Sequence, residues 1–285
     1  MGYASTMRRL LASAAALLRL VALAGLALLS AAGVSQARDR CADTAQAVQA
    51  LHEGDQYQAS ALLFGAARLG CEKEARALLD RGAAIDAKDR EGKTALVKAA
   101  EANKLMMMRL LLERGADPNA RAVDGSTPLL YAAEQDRGPA VALLLERGAD
   151  PNLAGRKGLR PLAAAAYNGS GDSVEALVKH GADPNALDEE GKAAIVYAAG
   201  HGYAPVVALL LKAGVDPNRR YAHGLTALMW AAGYDASAGV DDVDATIRTL
   251  IEHGASPGLK DDRGKTAADI ARGLGREQAA KLLEP

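Results

Sequence analysis

The side chains best able to act as bases, nucleophiles or metal ligands in this sequence belong to five histidines and two cysteines. The histidines are scattered along the chain: His52, His180, His201, His223 and His253. Two of them precede a glycine at the predicted end of a helix, where the helix dipole favours positive charge without any catalysis. No histidine has a nucleophile or a second ligand at a useful spacing. We therefore expect no catalytic residues, no metal and no cofactor, in a protein that is not an enzyme.

Two other segments imitate ligand sites. The segment "GLGREQ" from Gly273 lacks the third glycine of a dinucleotide loop and follows a predicted helix rather than a strand. The segment 234–244 contains four acidic residues, Asp235, Asp241, Asp242 and Asp244. It has neither the glycine-punctuated ligand spacing nor the closing glutamate of a calcium loop. We predict a solvated loop there.

The start of the chain has the composition of an export signal. Three arginines give a basic beginning, an apolar run covers residues 20–29, and small residues precede Ala37. This pattern predicts a signal peptide over residues 1–37, cleavage near Ala37, and a periplasmic or secreted mature protein. The alternative is an uncleaved membrane anchor that also includes residues 10–18.

The two cysteines lie close to the predicted mature N-terminus. In an exported chain, such an even pair predicts a disulfide between Cys41 and Cys71 that pins the first helix onto the first unit. Two buried free thiols are the alternative.

The charges are nearly balanced, with 34 basic and 35 acidic residues. The predicted leader contains three of the basic residues and none of the acidic ones, so the mature part is mildly acidic. Because there is no basic block, we expect neither nucleic acid nor anionic membrane as a partner. We expect a mature chain that is not embedded in a membrane.

A five-residue phrase recurs along the chain at a fixed interval. "GADPN" occupies 115–119, 148–152 and 181–185, and "GVDPN" occupies 214–218, so successive copies start 33 residues apart. Such a period indicates a solenoid of stacked units. Five units begin at Asp89, Ala122, Gly155, Asp188 and Tyr221, and we number them repeats one to five. The fifth contains seven extra residues.

Each unit has the local chemistry of two short helices. Threonines such as Thr94 and Thr127 supply a hydroxyl at the start of the first helix, where unpaired N–H groups need an acceptor. Paired alanines follow in the first helix, and a leucine run forms the second. The glycine of "GADPN" ends the second helix because it adopts the left-handed conformation without strain. The proline then leads the chain into a turn.

The pattern G-x-T-P-L-x-x-A-A…L-L-L-x-x-G-A-D-x-N resembles the ankyrin repeat over nearly the whole mature chain. The resemblance implies an all-α repeat solenoid, in which helix pairs stack through β-hairpin or turn connections and form a curved, protein-binding surface. One position departs from the family, which usually has histidine after the leucine of T-P-L-H. This chain has apolar residues there: Val97, Leu130, Ala163, Val196 and Met229. We expect apolar packing to replace that polar contact between repeats.

The units divide the chain into a leader and one repeat domain of about seven units. The predicted domain covers residues 38–285, with an N-terminal cap over 38–87 that includes an extra helix from about Ala42 to Glu53. Five full repeats follow over 88–259, and a C-terminal cap covers 260–285. Atypical terminal units shield the open core of a solenoid. We expect a monomer.

The resemblance also indicates where a partner would bind. In the family, partners contact the hairpin tips and the turn after the alanine-rich helix, and the later repeats are here the more aromatic. The candidate partner-binding residues are Glu134, Gln135, Arg156, Lys157, Tyr167, Asn168, Glu189, Glu190, His201, His223 and Tyr234. Tyr131, Tyr197 and Trp230 also invite this interpretation, but their spacing predicts packing with the leucines.

The predicted function is non-catalytic protein binding through the concave face and hairpin tips. The resemblance favours an exported ankyrin-repeat adaptor, or a protector or inhibitor of another protein, in a bacterial periplasm. The alternative is a secreted effector that acts on a host or competitor protein. The partner's identity does not follow from the sequence.

Overall fold

The computed structural model describes residues 41–52, 54–233 and 240–284. These residues form helices and turns and contain no strand. The predicted leader, residues 1–37, lies outside them and so does Tyr234, and both assignments remain predictions. None of the helices in the described ranges is long and apolar enough to cross a membrane.

A first helix, α1, covers residues 41–50, and seven helix pairs follow it. The first helices of the pairs are α2 (Gln56–Leu69), α4 (Ala95–Glu101), α6 (Pro128–Glu134), α8 (Pro161–Tyr167), α10 (Ala194–Gly200), α12 (Ala227–Gly233) and α14 (Ala267–Gly273). The second helices are α3 (Glu72–Asp80), α5 (Leu105–Glu113), α7 (Gly138–Glu146), α9 (Gly171–Lys179), α11 (Ala204–Lys212), α13 (Val240–Glu252) and α15 (Glu277–Leu282). First helices pack against first helices of neighbouring pairs, and second against second. We call these the inner and outer rows.

The ends of the helices follow from the residues that the sequence places there. The hydroxyl of Thr127 accepts a hydrogen bond from the N–H of Leu130 at 3.2 Å, which satisfies one donor at the start of α6. Thr94 and Thr226 cap α4 and α12 in the same way. Gly148 has φ +82° directly after α7, a conformation that costs glycine little. These predictions of the sequence are confirmed.

The alanine pairs and the leucine runs form one continuous hydrophobic core. The small alanines let neighbouring inner helices approach closely, and the leucines fill the space between the two rows. The five positions that depart from the family pattern are between 0% and 7% exposed: Val97, Leu130, Ala163, Val196 and Met229. Apolar packing at these positions is therefore confirmed.

Polar contacts between repeats are nevertheless present, at the "GADPN" joints. The amide of Asn152 donates to the carbonyl of Gly181 at 2.9 Å, and its oxygen accepts from the N–H of Asp183 at 2.8 Å. Asn119 makes the equivalent pair of bonds one repeat earlier, at 3.2 and 2.8 Å. The expectation that apolar packing replaces the polar contacts between repeats is thus wrong for the joints. Their asparagines bond each repeat to the next.

The N-terminal cap is fastened by the predicted disulfide. Cys41, at the start of α1, and Cys71, directly before α3, have sulfurs 2.00 Å apart and Cα atoms 5.5 Å apart. Cys71 is 2% exposed, so the bond joins α1 to the buried base of the first pair. The extra helix predicted from about Ala42 to Glu53 is present over 41–50.

The acidic segment of repeat five differs from the predicted solvated loop. Asp242 and Asp244 lie in α13, which has 13 residues where the outer helices of the other four repeats have nine. Asp244 is only 6% exposed. The prediction of a loop is therefore wrong for these two residues and for Asp241, which also lies in α13, because the extra residues extend an amphipathic helix onto the core. Asp235 lies outside the described residues.

Candidate functional site

A groove runs between the inner helices and the hairpin turns that precede them. The turns are closed by short hydrogen bonds, such as that from the N–H of Asp89 to the carbonyl of Lys93 at 3.1 Å. Neighbouring tips are also joined, since the N–H of Glu189 donates to the carbonyl of Lys157 at 3.1 Å. These bonds hold the tips in a fixed row opposite the inner helices.

One inner-helix position faces the turns in every repeat. Its occupants, spaced by 33 residues, are Lys98, Tyr131, Ala164, Tyr197 and Trp230. We call this the groove position. In repeats one, two and four its side chain reaches a carboxylate of the same repeat's turn. Lys98 pairs with Asp89 at 2.6 Å, the hydroxyl of Tyr131 reaches Asp124 at 3.4 Å, and that of Tyr197 donates to Asp188. These contacts close the groove in those repeats.

Repeat three has none of these groups. Ala164 replaces the tyrosine, and Gly155 and Lys157 stand where the turns of repeats one, two and four have a carboxylate. Leu159 stands where repeats one and four have a lysine. A cleft of about 420 Å³ opens there, lined by Glu134, Gln135, Arg156, Leu159, Ala164, Tyr167, Asn168 and Tyr197. We call it the repeat-three cleft.

Aromatic rings form one wall of this cleft. Tyr167 is 52% exposed, and its ring lies edge-on to those of Tyr197 and His201, with centroids 6.0 and 4.6 Å away. The ring of Tyr203 stacks on His201 with centroids 5.9 Å apart. Exposed tyrosines held by other rings lose little entropy on binding, which is why they are common in protein interfaces.

Charged groups surround the groove and are mostly paired. Arg156 bonds to Glu134 at 3.1 Å across the mouth of the repeat-three cleft. In repeat four, the hydrogen bond and the charge of Lys192 lower the pKa of Glu190. In repeat one, burial acts to lower the pKa of Lys93, but hydrogen bonds to Glu101 and Glu91 outweigh burial and raise it. The groove is therefore a charged surface with an apolar opening at repeat three.

The structure brings five of the predicted binding residues together around the repeat-three cleft, and these are Glu134, Gln135, Arg156, Tyr167 and Asn168. Lys157 and Glu190 line a smaller cleft of about 260 Å³ beside it, which shares Arg156, Leu159 and Tyr197. His201 belongs to the aromatic cluster, whereas Glu189 and His223 are exposed on turns. Tyr234 lies outside the described residues.

Asn168 has a structural contact as well as a place on the cleft. Its amide donates to the carbonyls of Ala133 and Glu134 at 3.0 and 3.1 Å, which ties the end of α8 to the end of α6. Because both carbonyls are at the unpaired end of a helix, this contact stabilises the stack.

Three cleft residues were missed from the sequence: Leu159, Ala164 and Tyr197. Tyr197 was predicted to pack with the leucines, but it is only half buried and lines the cleft. Trp230, by contrast, is 8% exposed, as predicted. Aligning the repeats and asking which one lacks the side chain shared by its neighbours would have identified Ala164, which stands between Tyr131 and Tyr197.

Metal binding has little support in the ranges that the structure describes. The one group there with suitable ligand atoms is Cys41, Cys71 and Glu74, and its two sulfurs are joined in the disulfide. A disulfide sulfur is not the thiolate that binds metal.

A stack of helix pairs with a lined groove defines a repeat solenoid built for binding. A family model described as "Ankyrin repeats (3 copies)" matches residues 40–122, 63–155 and 150–221, and one described as "Ankyrin repeat" matches residues 223–262. These matches cover more than half of the chain, which therefore belongs to the ankyrin repeat family. Ankyrin repeats are general protein–protein interaction modules and are typically non-catalytic. The comparison with curated proteins finds no match.

Proposed function

We propose that this chain is a non-enzymatic binding protein that holds a partner protein in the groove of repeats two to four. The observation that carries the proposal is the repeat-three cleft, where an apolar opening and a half-exposed tyrosine interrupt an otherwise closed, charged groove. Apolar and aromatic groups that lose water on binding contribute most of the affinity of protein interfaces.

The surroundings of the cleft support this proposal. Tyr167 is held by two other rings, and the turns opposite are fixed by hydrogen bonds between tips. A surface already ordered before binding loses less entropy when a partner docks. A cleft of about 310 Å³ between the outer helices α13 and α15 has no aromatic residue in its lining.

We further propose that the chain is an exported adaptor, or a protector or inhibitor of its partner, that acts outside the cytoplasm. The leader-like composition of residues 1–37 and the pairing of Cys41 with Cys71 support this place of action, since disulfides persist in oxidising compartments. Fractionation with an antibody against the chain tests it. Recovery from the cell envelope supports the adaptor, recovery from the medium favours the secreted effector, and recovery only from the cytoplasm contradicts export.

A crosslinked pull-down with matched variants tests the binding surface. The protein carrying both Tyr167→Ala and His201→Ala should lose a partner that the unaltered chain retains. Met106→Ala is the control, because Met106 lies on the outer helix α5 and is 58% exposed, close to the 52% of Tyr167. Loss of the partner from the control, or its retention by the double variant, would place the interface elsewhere.

A further inference from the structure

We propose that the repeat-three cleft is a slot for one aromatic side chain that the partner protein inserts between the turn and the inner helix. This inference rests on the proposed function and names the chemistry that the groove recognises. The occupant is a phenylalanine, tyrosine or tryptophan on a protruding segment of the partner.

The shape of the slot follows from the neighbouring repeats. At the groove position, repeats two and four have the phenol rings of Tyr131 and Tyr197, and repeat three has the methyl group of Ala164. The inner helices keep the same seven-residue length in all three repeats, so the backbone continues unchanged past the missing ring. The missing ring therefore contributes to the cleft of about 420 Å³, which has room for an aromatic side chain.

The walls of the slot are apolar where a ring would insert. Leu159 and Ala164 form the base, and the edges of Tyr167 and Tyr197 form one side. In repeat four the position of Leu159 is held by Lys192, whose longer side chain lies over the rings of Tyr197 and Trp230 and occupies the groove itself. A ring can meet the two tyrosines edge-to-face, which favours an aromatic occupant over an aliphatic one of similar size.

A cation stands where an inserted ring needs one. Elsewhere in the groove, lysines of the turns lie over aromatic rings: Lys93 is 5.1 Å from the ring centre of Tyr131, and Lys192 is 5.3 Å from that of Trp230. At repeat three the turn presents Arg156, whose side chain is 64% exposed. Lys93 and Lys192 occupy the position that Leu159 holds in repeat three, so the cation there comes from another place on the turn: Arg156, which lines the cleft and pairs with Glu134.

The test is a titration of the whole chain with N-acetyl-phenylalaninamide and, separately, N-acetyl-leucinamide, followed by amide NMR. The aromatic amide should shift the signals of Leu159, Ala164 and Tyr167. It should bind roughly threefold to tenfold more tightly than the leucine amide, because only a ring gains edge-to-face and cation contacts. Equal binding of the two amides, or no shift at these residues, would overturn the inference.

Two variants and one control show whether the slot itself is responsible. Ala164→Tyr fills the slot with the side chain of the neighbouring repeats, and Leu159→Lys gives its base the charge found in repeat four; each should abolish the shifts. Lys98→Tyr places a tyrosine at the groove position of repeat one and should leave the amide shifts at the slot unchanged. Persistence of the shifts in both slot variants would refute the slot.

The amide titration and the pull-down together distinguish a failure of this inference from a failure of the proposed function. If neither amide binds at the slot but the pull-down still depends on Tyr167 and His201, the groove binds a partner without an inserted ring. If the pull-down is indifferent to those residues while the aromatic amide binds, the slot exists but the partner docks elsewhere.

Discussion

Repeats three and four have inner and outer helices of the same lengths but different groove surfaces. In repeat four, Tyr197 bonds to Asp188 and Lys192 pairs with Glu190, so the chain's own side chains bridge the groove and leave only the smaller cleft of about 260 Å³. In repeat three the equivalent positions of Tyr197 and Lys192 are Ala164 and Leu159, and the groove is open. A binding site can thus arise in a repeat protein from side chains that are missing rather than from special ones.

The missing carboxylate of repeat three has a packing reason. A side chain at Gly155 would collide with Leu130 and Ser126 of repeat two, so this turn lies closer to its neighbour than a carboxylate would allow. Without that carboxylate, a tyrosine at the groove position would have no acceptor for its hydroxyl. Gly155, which removes the carboxylate, therefore suits Ala164, which has no hydroxyl that needs an acceptor.

If repeats three and four share one core, equivalent substitutions in the two repeats should lower the free energy of unfolding by similar amounts. Leu162→Ala and Ile195→Ala remove side chains 33 residues apart that are 2% and 0% exposed. Each should lower the free energy of unfolding by about 2–5 kcal/mol, from lost burial and the cavity left behind. Urea unfolding followed by circular dichroism measures this. A cost for Leu162→Ala much below that for Ile195→Ala would show that the two repeats are packed differently.

The joints that precede the two repeats differ in their bonds to the next joint. Asn152 bonds to Gly181 and Asp183 of the next joint, whereas the side chain of Asn185 bonds to Arg219 at 3.2 Å. Asn152→Ala should cost about 1–2 kcal/mol through two lost hydrogen bonds, and Asn185→Ala less than about 1 kcal/mol. Urea unfolding of the two variants, followed by circular dichroism, measures the difference between these costs. If Asn152→Ala and Asn185→Ala lower the stability equally, the two bonds from Asn152 to the next joint contribute nothing.

The closed groove of repeat four can be loosened without touching the core. Tyr197→Phe removes the hydroxyl that donates to Asp188 and should cost about 0.5–1.5 kcal/mol. Tyr131→Phe should cost less, since its contact with Asp124 is long at 3.4 Å. Thermal melting of the two variants against the unaltered chain measures the difference. A larger effect for Tyr131→Phe would contradict the assignment of the stronger contact to repeat four.

The smallest expected effect is a dependence of stability on pH, which arises from a turn carboxylate that repeat two has and repeat three lacks. Burial acts to raise the pKa of Asp124, but the N–H and hydroxyl of Ser126 and the charge of Arg156 outweigh it, so the pKa is lowered. Because the folded pKa lies below the unfolded one, ionised Asp124 stabilises the fold above the unfolded value, and this is lost as pH falls. Solvent screening keeps such contributions to about 1 kcal/mol or less.

Asp124→Asn should therefore flatten the fall in melting temperature between neutral pH and pH 3. The control is Asp172→Asn, a carboxylate in the first turn of α9 on the outer row. If the control flattens the curve as much as Asp124→Asn does, the groove carboxylate has no particular role.

The sequence predicted the helix pairs and most of the groove rim. The threonine caps, the joint glycines and the disulfide pair could be read directly, because each depends on residues a few positions apart or on a simple count. Glu134, Arg156 and Tyr167 were chosen from their places in the repeat, and the structure brings them to one cleft. The helical course of Asp242 and Asp244 was missed because an insertion breaks the period on which the prediction relied.

The 33-residue period is sufficient to specify the solenoid, because its caps and joints act locally in each unit. The place where the groove is open depends instead on how the repeats pack. A cleft is a property of neighbours: Ala164 becomes its base because Leu159, Tyr167 and Tyr197 surround the space that a larger side chain would fill. The asparagine bonds between joints likewise exist only once repeats stack, since their partners belong to the next repeat along the chain.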